Sequence, residues 1–414
     1  MTDSNKIHKP LVTLGFQETD FDQDELTSDF FPNKVGGKPV SSWLSWLDLG
    51  NLPLNSDFKC DVCEEQMSFL LQFYAPWSDH ARTYHRMLFV FCCQKARCHR
   101  YRVFRSQLPK VNDYYEADQE DRRYEEGFAV SKTKQDARQP QCTFCGCAAP
   151  TRCGNCRRVH YCGKDHQSRD WELGHREQCK QNNHTLAKRK AEFHYKEFLI
   201  VCDDIEQTPV VLVTNKHTNQ DGGQDDGGHD EDEVEDDYES EEEEDGETAS
   251  AAPGKELALR EGDSGNVTMD HEALENYQDY LAETGKDNEF SEKTFTNLKD
   301  RQLAIFKQTT SSDRDQILRY CRDVNYQTLW VSEKNVPTDS DIPCCPNCNG
   351  ERSLEMQILP QLLYFLDIDS NQVSSIHDID FGILSIYTCK NSCEYDNKTK
   401  GIQEEFIWKQ DFTK

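Results

Sequence analysis

The stretch that decides the local fold is CTFCGCAAPTRCGNCRRVHYCGKDHQSRDWELGHREQC, residues 142–179. Its cysteines and histidines are spaced as C-x2-C, C-x2-C, C-x3-H and H-x3-C. Two residues between cysteines form a tight knuckle that turns both thiolates toward one metal ion. Three residues between ligands place them one helical turn apart, on the same face. Eight such ligands predict two tetrahedral zinc sites.

Taking the pairs alternately assigns four ligands to each zinc. The first site would use Cys142, Cys145, Cys162 and His166. The second would use Cys153, Cys156, His175 and Cys179. The two pairs with three intervening residues predict a short helical hairpin that ends the module.

The stretch resembles the MYND zinc finger, both in its ligand spacing and around Tyr161-Cys162 and residues 167–171. We expect the finger to occupy residues 138–181. One departure is His166, where most MYND fingers carry cysteine, but histidine is an acceptable zinc ligand. Cys147 is left over as a bystander thiol.

A second cysteine pattern precedes the finger and predicts a zinc-ribbon-like β unit over residues 1–110. A knuckle is followed by the apolar run SFLLQFYAP, then by RMLFVFCC, a second knuckle and the strand-like YRVFRSQL. The predicted zinc ligands are Cys60, Cys63, Cys93 and Cys98. Cys92 could replace Cys93, since only strand alternation decides between them. The alternative is a buried thiol cluster without metal.

The same order of features returns near the end of the chain. Cys345-x2-Cys348 precedes SLEMQIL, GILSIYTC ends on Cys389-x3-Cys393, and EEFIWKQ closes the unit. These four cysteines are the predicted ligands of a second ribbon, with Cys344 as a spare. The repetition indicates a duplicated unit whose copies pack on one another, although cysteine-bearing strands can also resemble each other by chance. We expect this unit to belong to a domain over residues 271–414.

The sequence therefore predicts a mainly β protein with a small α content. Two zinc-ribbon-like β units would pack as one body, with the MYND finger inserted between them. Residues 216–270 are poor in apolar residues and predict a disordered acidic loop. Helical spacing of apolar residues predicts helices over 271–283 and about 290–307, and a third after Asp313.

The charge and composition of the chain reduce the number of possible classes of function. The chain has 414 residues and a net charge of −29, and the run from Asp221 to Glu247 holds 17 acidic residues without a lysine or arginine. Residues 138–196 carry 12 basic and 5 acidic residues, but the acidity of the whole chain argues against direct nucleic-acid binding.

The start lacks a signal-like segment, and no run approaches 18 apolar residues, so we expect no membrane association. The paired cysteines of such a chain predict metal ligands rather than disulfides.

Taken in order, further motifs resemble the programmed cell death protein 2 family. They are GGKPVSSWL, FLLQFYAP, FCC-x4-C, YRVFRSQLP, DQILRY, LWVSEKNVP, IPCCPNC, MQILPQLL, DFGILSIYTC and EEFIWKQD. The resemblance implies a cytoplasmic and nuclear adaptor. Its client would be a newly made small-subunit ribosomal protein (number two in eukaryotes, five in the universal scheme), and its delivery would support assembly of the small ribosomal subunit.

Two other classes of function are suggested by the finger. The MYND finger could bind short peptide motifs in a scaffold for transcriptional regulation or apoptosis, alone or beside the adaptor role. MYND fingers also occur in lysine methyltransferases. However, we find no cofactor-cradling glycine motif, nucleophile elbow or open metal site, and we expect no enzyme activity. The expected zinc content is two ions in the finger and two more in the ribbons.

Overall fold

A computed structural model describes residues 9–26, 30–40, 59–64, 67–77, 80, 82–93, 95, 98–112, 140–146, 149–180, 195–207, 300–366, 379–393 and 402–412. The predicted acidic loop (216–270) and the first predicted helix (271–283) lie outside these residues, as does Cys147. The described residues all belong to one compact unit of the chain.

The described part of the chain is mainly β-structure. Its strands are β1 (Leu11–Glu18), β2 (Lys34–Val35), β3 (Ser68–Tyr74), β4 (His85–Cys92), β5 (Tyr101–Leu108), β6 (Thr151–Arg152), β7 (His160–Tyr161), β8 (Phe198–Glu206), β9 (Leu318–Tyr320), β10 (Arg352–Ile358), β11 (Ile383–Cys389) and β12 (Ile402–Gln410). The α-helices are α1 (Lys164–Asp170), α2 (Arg176–Lys180), α3 (Arg301–Thr309) and α4 (Gln361–Phe365). Short 3₁₀ turns cover Gln23–Leu26 and Asp339–Asp341, and a π-type turn covers Trp171–His175.

Ten of these strands form one closed barrel, in the order β1-β8-β2-β3-β4-β5-β12-β11-β10-β9, with β9 pairing back onto β1. Strands β6 and β7 form a separate two-stranded sheet in the finger. The two ribbon units meet where β5 pairs with β12, from Val103 opposite Glu405 to Ser106 opposite Ile402. The prediction that the two units pack as one body is therefore confirmed, and they do so by sharing a single sheet.

The duplication predicted from the sequence is visible in the strand registers. The β3–β4 pair shifts register between Phe69 and Leu71, and the β10–β11 pair shifts between Leu354 and Met356. Each shift skips one residue, Leu70 in the first half and Glu355 in the second. Both bulges lie seven residues after the second cysteine of a C-x2-C pair, Cys63 in the first half and Cys348 in the second, so the two halves repeat a bulged hairpin beside a candidate metal site.

The interior of the barrel is filled by apolar side chains from both halves. They include Val35, Leu71, Leu88, Val90, Val103, Ile200, Leu318, Met356, Ile358, Leu384 and Ile386. Strands β3 and β4 are buried along their whole length, because the finger and the first knuckle cover the face that points away from this interior. Burial on both faces explains why their sequences are nearly continuous apolar runs rather than alternating ones.

Two helix predictions have different outcomes. The described end of the second predicted helix is confirmed as α3, whose first turn is capped by the carboxylate of Asp300 accepting from Gln302 N at 2.9 Å and Leu303 N at 3.2 Å. The helix predicted after Asp313 is wrong, since this segment is strand β9. A short apolar run does not distinguish helix from strand, and here the pairing of β9 with both β1 and β10 decides.

Candidate metal centres

In the part of the chain that the structure describes, four groups of cysteines and histidines could each hold a metal ion. They are Cys60/Cys63/Cys93/Cys98, Cys142/Cys145/Cys162/His166, Cys153/Cys156/His175/Cys179 and Cys345/Cys348/Cys389/Cys393. In every group the ligand atoms lie within 4.8 Å of one another. The structure thus brings together all sixteen residues predicted from the sequence, in the predicted sets of four.

The distances within each group fit a tetrahedral zinc site. Sulfurs bound to one zinc at about 2.3 Å are separated by about 3.8 Å along a tetrahedron edge. The observed Sγ–Sγ distances are 3.5 Å for Cys63–Cys93, 3.7 Å for Cys145–Cys162, 3.8 Å for Cys153–Cys179 and 3.5 Å for Cys345–Cys393. Disulfide sulfurs would lie about 2 Å apart, so these pairs have the spacing of metal ligands and not of bridges.

The choice between Cys92 and Cys93 is made by the direction of the two side chains. Cys93 Sγ lies 3.5 Å from Cys63 Sγ. Cys92, one residue earlier on the strand, points into the interior of the barrel, where its thiol donates to Tyr195 Oη at 3.4 Å. Burial raises the pKa of Cys92 to about 12, so it remains a neutral core thiol.

The finger positions its ligands with the predicted helical hairpin. His166 lies on α1 and Cys179 on α2, and the π-type turn between them contains Gly174 at φ 124. This left-handed backbone favours glycine, and it reverses the chain so that His175 Nε2 lies 3.4 Å from Cys153 Sγ. Asn155 Nδ2 donates to Cys179 Sγ at 3.1 Å, which stabilises a thiolate at that position.

Each ribbon knuckle is held by an arginine that is itself fixed by a glutamate of β12. Arg102 contacts both carboxylate oxygens of Glu404, at 2.6 and 2.7 Å, and donates to Lys59 O, next to the first ligand of the N-terminal knuckle. In the other half, Arg352 pairs with Glu405 at 3.0 Å and donates to Pro343 O at 2.8 Å. One strand therefore positions both ribbon sites.

The C-terminal site is also bound to the N-terminal half through β5. Arg105 and Glu405 are completely buried and paired at 2.7 Å, and the second oxygen of Glu405 accepts from Cys389 N at 3.2 Å. Gln107 Nε2 donates to Ser392 O at 3.1 Å. A four-cysteine site carries more thiolate charge than one zinc ion neutralises, so arginines beside the knuckles complement it electrostatically.

The finger is packed against the N-terminal half and is not an isolated module. Its residues Phe144, Val159 and Tyr161 share one apolar cluster with Phe69 and Phe91 of the barrel wall. The ammonium group of Lys38, in the loop after β2, donates to Thr143 O beside the first finger ligand.

A buried ion pair crosses the interior between the two halves. Arg86 on β4 donates to both oxygens of Glu355 on β10, at 2.5 and 2.7 Å, and both side chains are buried. Thr388 and Tyr320 also donate to this carboxylate. Burial alone would raise the pKa of Glu355, but the guanidinium groups of Arg86 and Arg322 outweigh it and hold the pKa at about 2.

The sequence predicted the sixteen cysteines and histidines that the structure brings together, but not the residues that position them. Arg102 is 302 residues from its partner Glu404 and Arg352 is 53 residues from its partner Glu405, and no local spacing indicates that they meet. A partial signal was present in EEFIWKQ, where two adjacent glutamates begin an otherwise apolar strand. Adjacent residues of a strand point to opposite faces, which is how the pair serves both knuckles.

Two four-cysteine groups and two groups of three cysteines and one histidine, on a closed β scaffold, define a zinc-finger protein, and comparison with known families agrees. The N-terminal domain model of programmed cell death protein 2 matches residues 11–122, its C-terminal domain model matches residues 300–411, and the MYND finger model matches residues 142–179. The finger and the four groups support zinc binding.

The chain belongs to the programmed cell death protein 2 family. It is 35% identical to programmed cell death protein 2 of Bos taurus over 97% of this chain and 96% of that protein. Identity to the Mus musculus protein of the same name is 32%, over 97% of both chains. Programmed cell death protein 2-like of Gallus gallus is 32% identical over 38% of this chain and 37% of its own.

No solved structure matches the chain. Within the described residues, no helix combines the length and the apolar character needed to cross a membrane.

Proposed function

We propose that this protein is a non-enzymatic zinc-binding adaptor that acts as a dedicated chaperone for one newly made small-subunit ribosomal protein, the one numbered two in eukaryotes and five in the universal scheme. It would work in the cytoplasm and nucleus and support assembly of the small ribosomal subunit. The observation that carries this proposal is the strong negative charge of a chain whose β barrel is closed and filled with apolar side chains. Family membership supports it further.

The chemistry of the metal groups favours binding over catalysis. Each group offers four protein ligands, and such a closed site leaves no position for a substrate or an activated water. We therefore assign the sixteen ligands a structural role, with four zinc ions per chain. Zinc binding of about 10–16 kcal/mol per structural site is enough to hold small, core-poor knuckles folded.

The charge of the chain suits a basic client. Ribosomal proteins carry basic segments that bind RNA non-specifically before assembly, and a chaperone with a net charge of −29 offers them a competing surface. This attraction acts over a Debye length of about 8 Å at physiological salt and mainly raises the rate of encounter. The acidic run from Asp221 to Glu247 would contribute to it. Deleting residues 221–248 should weaken client binding more at low salt than at high salt, and equal effects at both salts would contradict the electrostatic role.

The direct experiment is to tag the protein at its natural expression level and identify its stoichiometric partner. The proposal predicts one small-subunit ribosomal protein, recovered free of ribosomes, from both cytoplasmic and nuclear fractions. Recovery of a chromatin factor in its place would contradict it.

A second function, peptide recognition by the finger, is favoured by one specific observation. Trp171 and Leu173, on the turn between α1 and α2, are 37% and 39% exposed, and exposed apolar side chains on a small module are suited to a partner. The finger would then act as a scaffold for short peptide motifs in transcriptional regulation or apoptosis. Trp171→Ala in the full chain should abolish capture of such peptides while leaving the ribosomal client bound.

A further inference from the structure

Among the residues that the structure describes, strand β8 has an open edge along most of its length. On one side it pairs with β1 throughout, from Leu11 opposite Glu206 to Glu18 opposite Leu199. On the other side β2 covers only Phe198 and Leu199, and the pairing ends where Ile200 N donates to Asn33 O at 2.8 Å. The preceding residues do not continue it, because Phe31, the next residue whose backbone would face β8, has a left-handed backbone at φ 48.

The backbone groups of every second residue beyond Ile200 face this open edge. Ile200 N points away from β1, and alternation along an antiparallel strand gives Cys202, Asp204 and Glu206 the same direction. The position of Gly15, opposite Cys202, agrees, since its carbonyl accepts from Ile317 on the far side of β1. Among the described residues, no backbone partner lies on the open side of Cys202, Asp204 or Glu206. All three are exposed.

The side chains along this edge are acidic on one face and mixed on the other. Cys202, Asp204 and Glu206 share one face, and Val201, Asp203 and Ile205 share the opposite face. Val201 is 45% exposed, so the second face offers apolar surface beside Asp203. An extended segment with basic residues on one face and apolar residues on the other would match both.

We propose that residues Val201–Glu206 of β8, here called the open edge, bind an extended basic segment of a partner by adding it to the sheet as a strand. Backbone hydrogen bonds to Cys202, Asp204 and Glu206 would supply affinity, and cross-strand pairs with Asp204 and Glu206 would select arginine or lysine. This deepens the proposed function, on which it rests, by naming where a basic client segment binds. A second copy of this chain is a poor occupant, because two acidic edges repel each other.

The test is a proline substitution at the centre of the open edge. Cys202→Pro removes an N–H that the sheet does not use and places a ring where an added strand would lie. Cys202→Ala is the matched control, since it loses the same side chain but keeps the N–H. The probe is a fluorescein-labelled twelve-residue peptide that alternates arginine and valine, and its binding to the full-length protein is measured by fluorescence anisotropy at low salt.

The wild type and Cys202→Ala should bind this peptide equally, and Cys202→Pro should weaken binding by roughly tenfold or more, as expected for one lost backbone hydrogen bond and a steric clash. Equal binding by the proline and alanine variants would overturn the proposal. So would an edge-to-edge dimer of the free protein, detected by sedimentation, that only the proline variant abolishes. Zinc content and melting temperature report whether the proline variant is folded.

If Cys202→Pro does not fold, a charge reversal gives an independent readout. The variant Asp204→Lys/Glu206→Lys should lose the arginine–valine peptide and gain a glutamate–valine peptide of the same length, whereas Glu172→Lys/Glu177→Lys, on exposed positions of the finger, should change neither. No gain of the acidic peptide would contradict the proposal.

Capture of the ribosomal client separates this inference from the proposed function. If the client is captured equally by the wild type and Cys202→Pro, the proposed binding of the client at the open edge is wrong and the chaperone role stands. If no variant captures the client but the peptide result holds, the chaperone role is wrong and the open edge stands.

Discussion

The buried pair of Arg86 and Glu355 provides the sharpest test of how the two halves are joined. The residues are 269 positions apart in sequence, and they lie on β4 and β10, which are not neighbours in the barrel. Removing one partner of a buried ion pair leaves an uncompensated charge, which typically costs about 3–5 kcal/mol. Each single variant should therefore lower the free energy of unfolding by a large fraction of its usual value, which is about 5–15 kcal/mol.

The structure predicts a different loss of stability for each single variant. Arg86→Met leaves Glu355 with Arg322 at 3.9 Å and with two hydroxyl donors. We therefore expect a destabilisation at the low end of that range, about 3 kcal/mol. Glu355→Leu leaves the Arg86 guanidinium with two neutral acceptors, Ala75 O at 3.4 Å and Thr388 Oγ1 at 3.3 Å, and with no carboxylate, so we expect a destabilisation at the high end of that range, about 5 kcal/mol.

The double variant is predicted from the duplication itself. The bulge position that holds Glu355 in the second half holds the buried Leu70 in the first half. Arg86→Met/Glu355→Leu should therefore fit, and its main cost is the two hydroxyl groups that lose an acceptor, about 2 kcal/mol in total. It should be more stable than either single variant.

Denaturant unfolding at fixed free zinc, followed by circular dichroism, measures these free energies, and zinc content shows that the metal sites are intact. Two results would refute the reasoning. One is a pair of single variants within about 1 kcal/mol of the wild type, which is the range of exposed pairs. The other is a double variant destabilised by the sum of the singles.

Three further predictions follow from particular residues. The pKa of Glu355 is about 2 in the folded protein, against 4.5 unperturbed. Its contribution to stability is therefore complete above about pH 4.5 and is lost as the pH falls toward 2. In that pH range, the melting temperature should decline more steeply for the wild type than for Arg86→Met/Glu355→Leu, which has no such carboxylate. Cys345→Ser should lose one zinc ion per chain and lower the melting temperature, while the adjacent, exposed Cys344→Ser should change neither; loss of zinc by both would contradict the assigned ligand set. Gly36→Ala should destabilise the protein by about 1–3 kcal/mol, because φ is +64 and a Cβ would lie 2.0 Å from Lys196 O, while Gly154→Ala has open space and should be neutral by thermal unfolding.

The local features of this molecule were predictable because their causes are local. The C-x2-C and C-x3-H spacings suit the geometry of one metal ion, so the sequence predicted which cysteines and histidines the structure brings together. The apolar runs SFLLQFY and HRMLFVFC became β3 and β4, as expected for strands buried on both faces. The repeated order of knuckle and strands indicated the duplication.

The long-range features were not predictable, and β9 shows why. Its sequence, LRY after an aspartate, fits the start of a helix as well as a strand, and the outcome depends on β1, about 300 residues earlier, and β10, which pair on either side. The closure of the sheet, the Arg86–Glu355 pair and the role of Glu404 and Glu405 share this property. Each depends on residues that only the complete fold brings together.

We propose that four closed zinc sites hold this scaffold together, and native mass spectrometry of the full-length protein would count the bound ions. We expect a mass that corresponds to four zinc ions per chain, falling by one when Cys60, Cys153, Cys162 or Cys345 is changed singly to serine. A chain that is folded with two zinc ions or fewer would contradict it, because the ribbon knuckles would then be held by something other than metal.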